Sequence, residues 1–356
     1  MSSSGFSGFS GFSGFSGFSG FSGFSGFSGF SGFSGVMAPL SQAVGPLEAQ
    51  ALTYGRDGVF SEVIGSVEWK KEWDLPKSWA PAGGGDWDTS FPFNTADTLG
   101  RSAQHIRHLL NVAELLAAVR MQSPRIGRFK VKAKDSAGAV TLDCPLNRPT
   151  YDEFVNELDL VASWATRREE RAAEILSQIG PQAPFWASVL QLQPHRTPRT
   201  MELMDCALTF AMTVCMRFKH AFNCPRPSEY SPNIQPMIPV PGFSALPSGH
   251  ATESRMCAEV LIKLTGQQSD PIKPWDQPPN SPLAIQLRRL ASRIGENRIV
   301  AGLHFPVDNH LGRKLGRHLA LWFVQQAETP NSNLNWVWKR ARCEMSDLGF
   351  QVVCSK

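Results

Sequence analysis

The pattern of hydrophobic and polar positions changes character several times along the chain. In the first 35 residues Gly-Phe-Ser repeats ten times from Gly5 to Ser34, without one charged or branched aliphatic side chain. Such a block cannot build a core. Residues 36–100 carry Trp69, Trp73, Trp79 and Trp87 among many prolines and glycines. Alternation in Val59–Ile64 suits a short strand or extended arm, and the whole stretch reads as an irregular wrapping segment whose tryptophans plug a core. From Ser102 the period becomes helical: Ile106, Leu109, Leu110, Val112, Leu115, Leu116 and Val119 recur at three- and four-residue intervals across His105–Met121. That spacing predicts an amphipathic helix burying this stripe, with His105 and His108 at its solvated or core edge.

Phe129–Lys132 and Val140–Leu142 alternate, which suggests a small hairpin in 125–142. Tyr151–Ile179 returns to the helical period, and its Arg167–Arg171 run reads as a solvent-exposed, salt-bridging face. Thr200–Phe218 is apolar almost all round and predicts a buried central helix. Asp205 and Arg217 leave it well short of the roughly 20 apolar residues a bilayer crossing needs. Three more helices follow, one opening at Ser248-Gly249-His250, one over 281–296 and one from Pro306 past Trp322. The pattern therefore predicts an all-α helical bundle divided as a repeat tail (1–35), an irregular segment (36–100), a helical domain (101–330) and a C-terminal extension (331–356).

Composition narrows the function. The chain has 356 residues, 42% hydrophobic and 19% charged, with a formal net charge of +4. This suits a soluble body with a sizeable core and is too little charge to imply nucleic acid or an anionic membrane. The seven cysteines are odd in number, scattered and without CxxC pairs, so the expectation is free, buried thiols. The tail lacks both the basic start and the apolar run of a secretory signal, and its glycine triplets lack the proline of collagen. A flexible, weakly self-associating tail outside catalysis, a body beginning near Met37 and a cytoplasmic location are the resulting expectations; a homo-oligomer is compatible with all of them.

The chemistry gathers in three segments. Lys219 ends the central helix, and Pro225-Arg226-Pro227 forces an extended chain that fixes Arg226. Pro247-Ser248-Gly249-His250 opens another helix, where unpaired N–H groups favour an anion. Ser248 can donate its hydroxyl and Gly249 lets an oxyanion approach the backbone, although an isolated Pro-Ser-Gly is more often an ordinary cap. In the third segment Arg298 brings a fork suited to tetrahedral oxyanions. Asp308 lies one turn past His304, so its carboxylate can hold the imidazole Nδ1–H and leave Nε2 bare as nucleophile or metal ligand.

Lys219-x6-Arg226-Pro227, then Pro247-Ser248-Gly249-His250, then Arg298-x5-His304-x3-Asp308 resembles the three-part signature of the type 2 phosphatidic acid phosphatase (PAP2) superfamily. That superfamily includes bacterial acid phosphatases and vanadium-dependent haloperoxidases. The likeness covers about residues 200–326 and departs from the usual pattern at Asn297, where serine commonly precedes the arginine. It implies a helical bundle in which Lys219, Arg226, Ser248, Gly249 and Arg298 cradle vanadate or phosphate. His304 would be the metal ligand or nucleophile, with His250 as acid–base partner. As a haloperoxidase the protein would oxidise halide with hydrogen peroxide, Lys219 polarising the peroxide. As an acid phosphatase it would hydrolyse phosphate monoesters through a phosphohistidine at His304.

Within the resemblance, Phe243, Ala251 and the long N-terminal body favour the haloperoxidase branch, with Phe243 at the halide pocket. Met216 stands where a chloride-oxidising site would favour tryptophan. A third expectation, a non-catalytic oxyanion binder assembled through its tail, leaves the His304–Asp308 arrangement without a purpose.

Overall fold

The computed structural model describes residues 99–100, 102–134, 140–267, 281–330 and 332–354. The repeat tail, the Trp-rich segment and the Val59–Ile64 strand lie outside the described residues. The chain divides between residues 102 and 103, and the architecture below is that of the unit from Ala103 onward.

This unit is a helical bundle with one small sheet. It runs α1 (Gln104–Ala118), β1 (Val119–Arg125), β2 (Arg128–Lys134), β3 (Val140–Asn147), α2 (Tyr151–Asn156), α3 (Leu158–Trp164), α4 (Arg168–Ser177) and α5 (Ala183–Leu190). It continues through α6 (Pro198–Phe222), α7 (Pro227–Tyr230), α8 (Gly249–Leu264), α9 (Pro282–Val300), α10 (Pro306–Glu328) and α11 (Asn333–Asp347). The central helix α6 starts with proline at its first position and stops where Asn223 adopts a left-handed conformation (φ 48°) and donates its N–H to Lys219 O. Lys219 is thereby held in the last turn. Residues beyond 330 form α11, which packs on α6. Its Glu344 accepts the N–H groups of Arg199 and Thr200 at 2.8 and 2.7 Å, capping the start of α6.

α8 lies against α6, α9 and α10. Its near-total burial on every side accounts for its weak amphipathic pattern. Backbone approaches backbone where α10 crosses it: a Cβ on Gly312 would lie 2.7 Å from Ser248 O, and one on Gly316 would run into Thr252 O. From the other side, a Cβ on Gly295 of α9 would meet Ala251 Cβ at 3.2 Å.

Four readings of the pattern are corrected. The 125–142 hairpin is part of a three-stranded antiparallel sheet in the order β1-β2-β3, because Val119–Arg125 leaves the helical path and pairs with β2. Helix α1 buries Arg107, His108, Asn111, Val112 and Leu115, while Ile106, Leu109 and Leu110 of the predicted stripe are exposed. A partner distant in sequence decides this: Glu202 on α6 receives Arg107 Nε and Nη2 at 2.7 and 2.9 Å, and a buried carboxylate needs its cation. The Arg167–Arg171 run is likewise not simply a surface. Arg168 donates to Val300 O at 3.0 Å and the buried Arg171 to Asn297 Oδ1 at 3.0 Å, so both point at α9. Finally, Cys343 and Cys354 form a disulfide. The turn after α11 folds the irregular C-terminal segment back on the helix, a proximity the spacing of the cysteines does not reveal. The five other cysteines are free and buried.

Candidate active site

The three segments converge on one cavity of about 80 Å³, a few water-sized volumes across. Its polar wall comprises Lys219, Arg226, Gly249, His250, Glu253, Arg298 and His304. Three cations are thus buried together, Lys219 and Arg226 at 2% exposure and Arg298 at 1%. Burying charge is costly, and it pushes Lys219 down to about 7 and both arginines down to about 10, against the opposing pull of Asp308 on Lys219 and Arg226. A bound anion would relieve all three.

The cations differ in what they have free. Lys219 Nζ donates to Ser244 O at 2.7 Å and Ala245 O at 2.8 Å, which leaves one of its three donors. Arg226 spreads its fork over Phe243 O, Ser244 O and Leu303 O, and its Nη1 also contacts His304 Nε2 at 3.2 Å. Arg298 gives Nη2 to Ile175 O and Gln178 Oε1, whereas its buried Nε and Nη1 have no partner. Buried donors with nothing to bind are rare and point to a ligand.

The histidines are fixed in different tautomers. His304 Nδ1 contacts Asp308 Oδ2 at 3.1 Å, and the same oxygen accepts Phe305 N–H at 2.9 Å. Burial, and then the charges of Arg226 and Lys219, hold His304 well below the usual histidine range, so this contact is a hydrogen bond from a neutral ring. Burial raises Asp308 to about 7 in turn. Nε2 of His304 keeps its lone pair, to which Arg226 donates. His250 Nε2 lies 2.9 Å from Gln178 O and must donate to it, which leaves Nδ1 to move protons. Burial and the nearby Arg298 push His250 down to about 3.

Ser248 and Phe243 complete the residues expected from sequence. Ser248 is the N-cap of α8, its Oγ accepting Ala251 N–H at 3.4 Å, and its own N–H reaches Asp308 O at 3.0 Å. It ties the α8 turn to the start of α10 and does not itself line the cavity, while Gly249 does. The Leu246–Pro247 peptide before it is cis. Phe243 lines the cavity with its ring 5.2 Å from Lys219 Nζ and 5.3 Å from Arg226 Cζ.

Sequence reasoning missed Gln178, Gln182 and Glu253. Gln178 serves both Arg298 and His250, and is held by Asn297 Nδ2 at 3.0 Å. Asn297 also takes Arg171 and donates to Glu174, so at this departure from the usual pattern it organises the outer layer of the site. Glu253 lines the cavity and receives Gln182 Nε2 at 3.1 Å. Nothing in the run Ser177–Gln182 distinguishes its glutamines, and Glu253 shares its helix with Arg255, Glu259 and Lys263, so its charge alone does not single it out.

A helical bundle that gathers three buried cations, a helix-opening turn and two differently fixed histidines around one cavity defines an oxyanion site worked by histidine. Residues 203–332, which contain every one of these groups except the supporting glutamines, match the family model described as PAP2 superfamily. This part of the chain belongs to that superfamily, whose members include phosphatases and vanadium haloperoxidases. No curated protein matches the chain. Among the described residues no helix is long and apolar enough to cross a membrane, and no group of three or more His, Cys, Asp or Glu is placed to hold a metal ion.

Proposed function

We propose that the protein is a vanadium-dependent haloperoxidase, with vanadate held through His304. The observation that carries this reading is Phe243 lying against both Lys219 and Arg226 inside the cavity. An apolar ring beside buried cations suits a large, weakly hydrated monoanion such as bromide or chloride. The residues also fit the oxyanion itself, since Arg298 Nε and Nη1 are buried donors without partners. Lys219, Arg226, Arg298 and the Gly249 N–H would hold it, with the unprotonated Nε2 of His304 as its ligand. Vanadate there would supply the Lewis-acid activation of hydrogen peroxide for two-electron oxidation of halide.

The chain's own residues divide the remaining work. Arg298 and Lys219 have donors to offer at once. Arg226 Nη1, which meets His304 Nε2 at 3.2 Å, would have to give up that contact to serve the oxyanion. Asp308 keeps the imidazole in the tautomer that leaves Nε2 free, and His250 Nδ1 carries protons.

A second reading, a phosphatase acting on phosphate monoesters, is favoured by Met212, Cys215 and Met216 in the cavity wall. Sulfur side chains there would be consumed by an oxidised halogen species. In that chemistry His304 Nε2 attacks phosphorus and the ester P–O bond breaks, the leaving oxygen taking the proton of the phosphate monoanion by way of His250 Nδ1, which then takes a proton from the attacking water.

One sample assayed two ways separates them: orthovanadate, peroxide and bromide with a halogen-trapping dye, and a chromogenic phosphate ester without vanadate. Halogenation is the expected result. Phosphatase turnover alone after vanadate loading overturns the first reading, and full activity in a folded His304→Ala variant overturns both.

A further inference from the structure

Glu253 is used by neither chemistry. It sits on α8, one turn after Gly249 and His250, and is 1% exposed. It lines the cavity, and its Oε1 lies 3.6 Å from where a Cβ on Gly249 would be, so this oxygen is beside the turn that opens the helix. Its two oxygens are treated differently. Oε2 accepts the Gln182 amide at 3.1 Å, and Oε1 is buried without a partner.

An unpartnered carboxylate oxygen facing an anion would repel it, whereas a carboxylic acid there would donate to it. Since the Gln182 amide already occupies Oε2 as an acceptor, the proton belongs on Oε1. We infer that Glu253 is a further binding residue of this cradle: as a neutral acid it donates a hydrogen bond from Oε1 to the oxyanion, filling the side of the pocket next to Gly249. The inference rests on the oxyanion reading above.

Burial supports it by raising Glu253 to about 8, against the opposing pull of Lys219. The charged or titratable groups around the same cavity are Cys215 and Lys219 from α6, Arg226 before α7, His250 from α8, Arg298 from α9 and His304 before α10. Several of these titrate too, so only a comparison with a variant lacking the Glu253 proton isolates its contribution. The sign is fixed: below about pH 8 Glu253 is a donor, and above it the new negative charge opposes anion binding.

The test is calorimetric binding of inorganic phosphate to the full chain, from pH 6 to 9, for wild type, Glu253→Gln and Glu253→Ala, with thermal unfolding as the folding control. A glutamine keeps a neutral donor and the Gln182 contact; an alanine keeps neither. At pH 6.5 we expect Glu253→Gln to bind within about threefold of wild type and Glu253→Ala to bind about tenfold more weakly, one lost hydrogen bond. As pH passes 8, wild type should weaken relative to Glu253→Gln. Unchanged affinity in a folded Glu253→Ala, equal losses in both variants, much tighter binding by Glu253→Gln at pH 6.5, or parallel pH profiles would each overturn the assignment. If Glu253→Ala does not fold, the glutamine comparison and its pH profile decide. A wild type that binds neither phosphate nor orthovanadate refutes the oxyanion reading itself, a different outcome from all of these.

Discussion

Arg298→Lys removes the two donors on which the oxyanion site most depends while keeping a positive charge at the position. Arg298 Nε and Nη1 are buried without protein partners. Each charge-assisted hydrogen bond they form to an oxyanion contributes about 1.5–3 kcal/mol, and an ammonium cannot reproduce the fork. Two lost bonds amount to about 3–6 kcal/mol, or roughly a 10²- to 10⁴-fold weaker affinity. Thermal unfolding with increasing orthovanadate or phosphate reads this directly. At 100 times Kd a ligand stabilises the folded state by about 2.7 kcal/mol, which for a domain of this size raises Tm by about 5–10 °C. The same concentration should shift Arg298→Lys by less than about 1 °C. The variant also loses the Nη2 contacts with Ile175 O and Gln178 Oε1, so its unliganded Tm falls for a separate reason. Only the ligand-dependent shift is diagnostic. A full shift in Arg298→Lys would show that the unpartnered donors do not face the ligand.

Two further outcomes concern the scaffold. Gly316→Ala places a Cβ into Thr252 O where α10 crosses α8, and should cost about 1–3 kcal/mol, read as a Tm several degrees lower; an unchanged Tm would mean that the helices can part there at no cost. Cys343→Ser opens a disulfide loop of sequence separation 11, for which loop-closure entropy gives a loss of about 3 kcal/mol; a denaturant midpoint equal to that of wild type would refute it.

The site was more legible in the sequence than its surroundings. Lys219, Arg226, the Ser248–His250 turn and the His304–Asp308 pair are each set by neighbours within one or two turns: a helix end, flanking prolines, an N-cap, an i,i+4 hydrogen bond. Local rules suffice for such features, and α6, α8 and α10 follow from the same rules. What was not legible depends on partners far along the chain. Arg107 turns a polar face of α1 inward because Glu202 waits on α6, overriding a regular apolar stripe. Arg168 and Arg171 look like a solvated charge run until α9 is folded against them. Gln178 acquires its role from Arg298, His250 and Asn297, none of which is near it in sequence. Val119 still fits the helical period of α1, yet the chain leaves the helix there because β2 offers a ladder.

Gly295, Gly312 and Gly316 let two helices press on α8 behind the residues that face the ligand. With no side chain between the backbones there is no compressible layer, so this wall has no intermediate position between seated and detached. Pro239, Pro241 and Phe243, which line the same cavity, come instead from irregular chain. One wall of the pocket is therefore locked helix against helix, while another is irregular proline-rich chain whose shape rests on its own side chains.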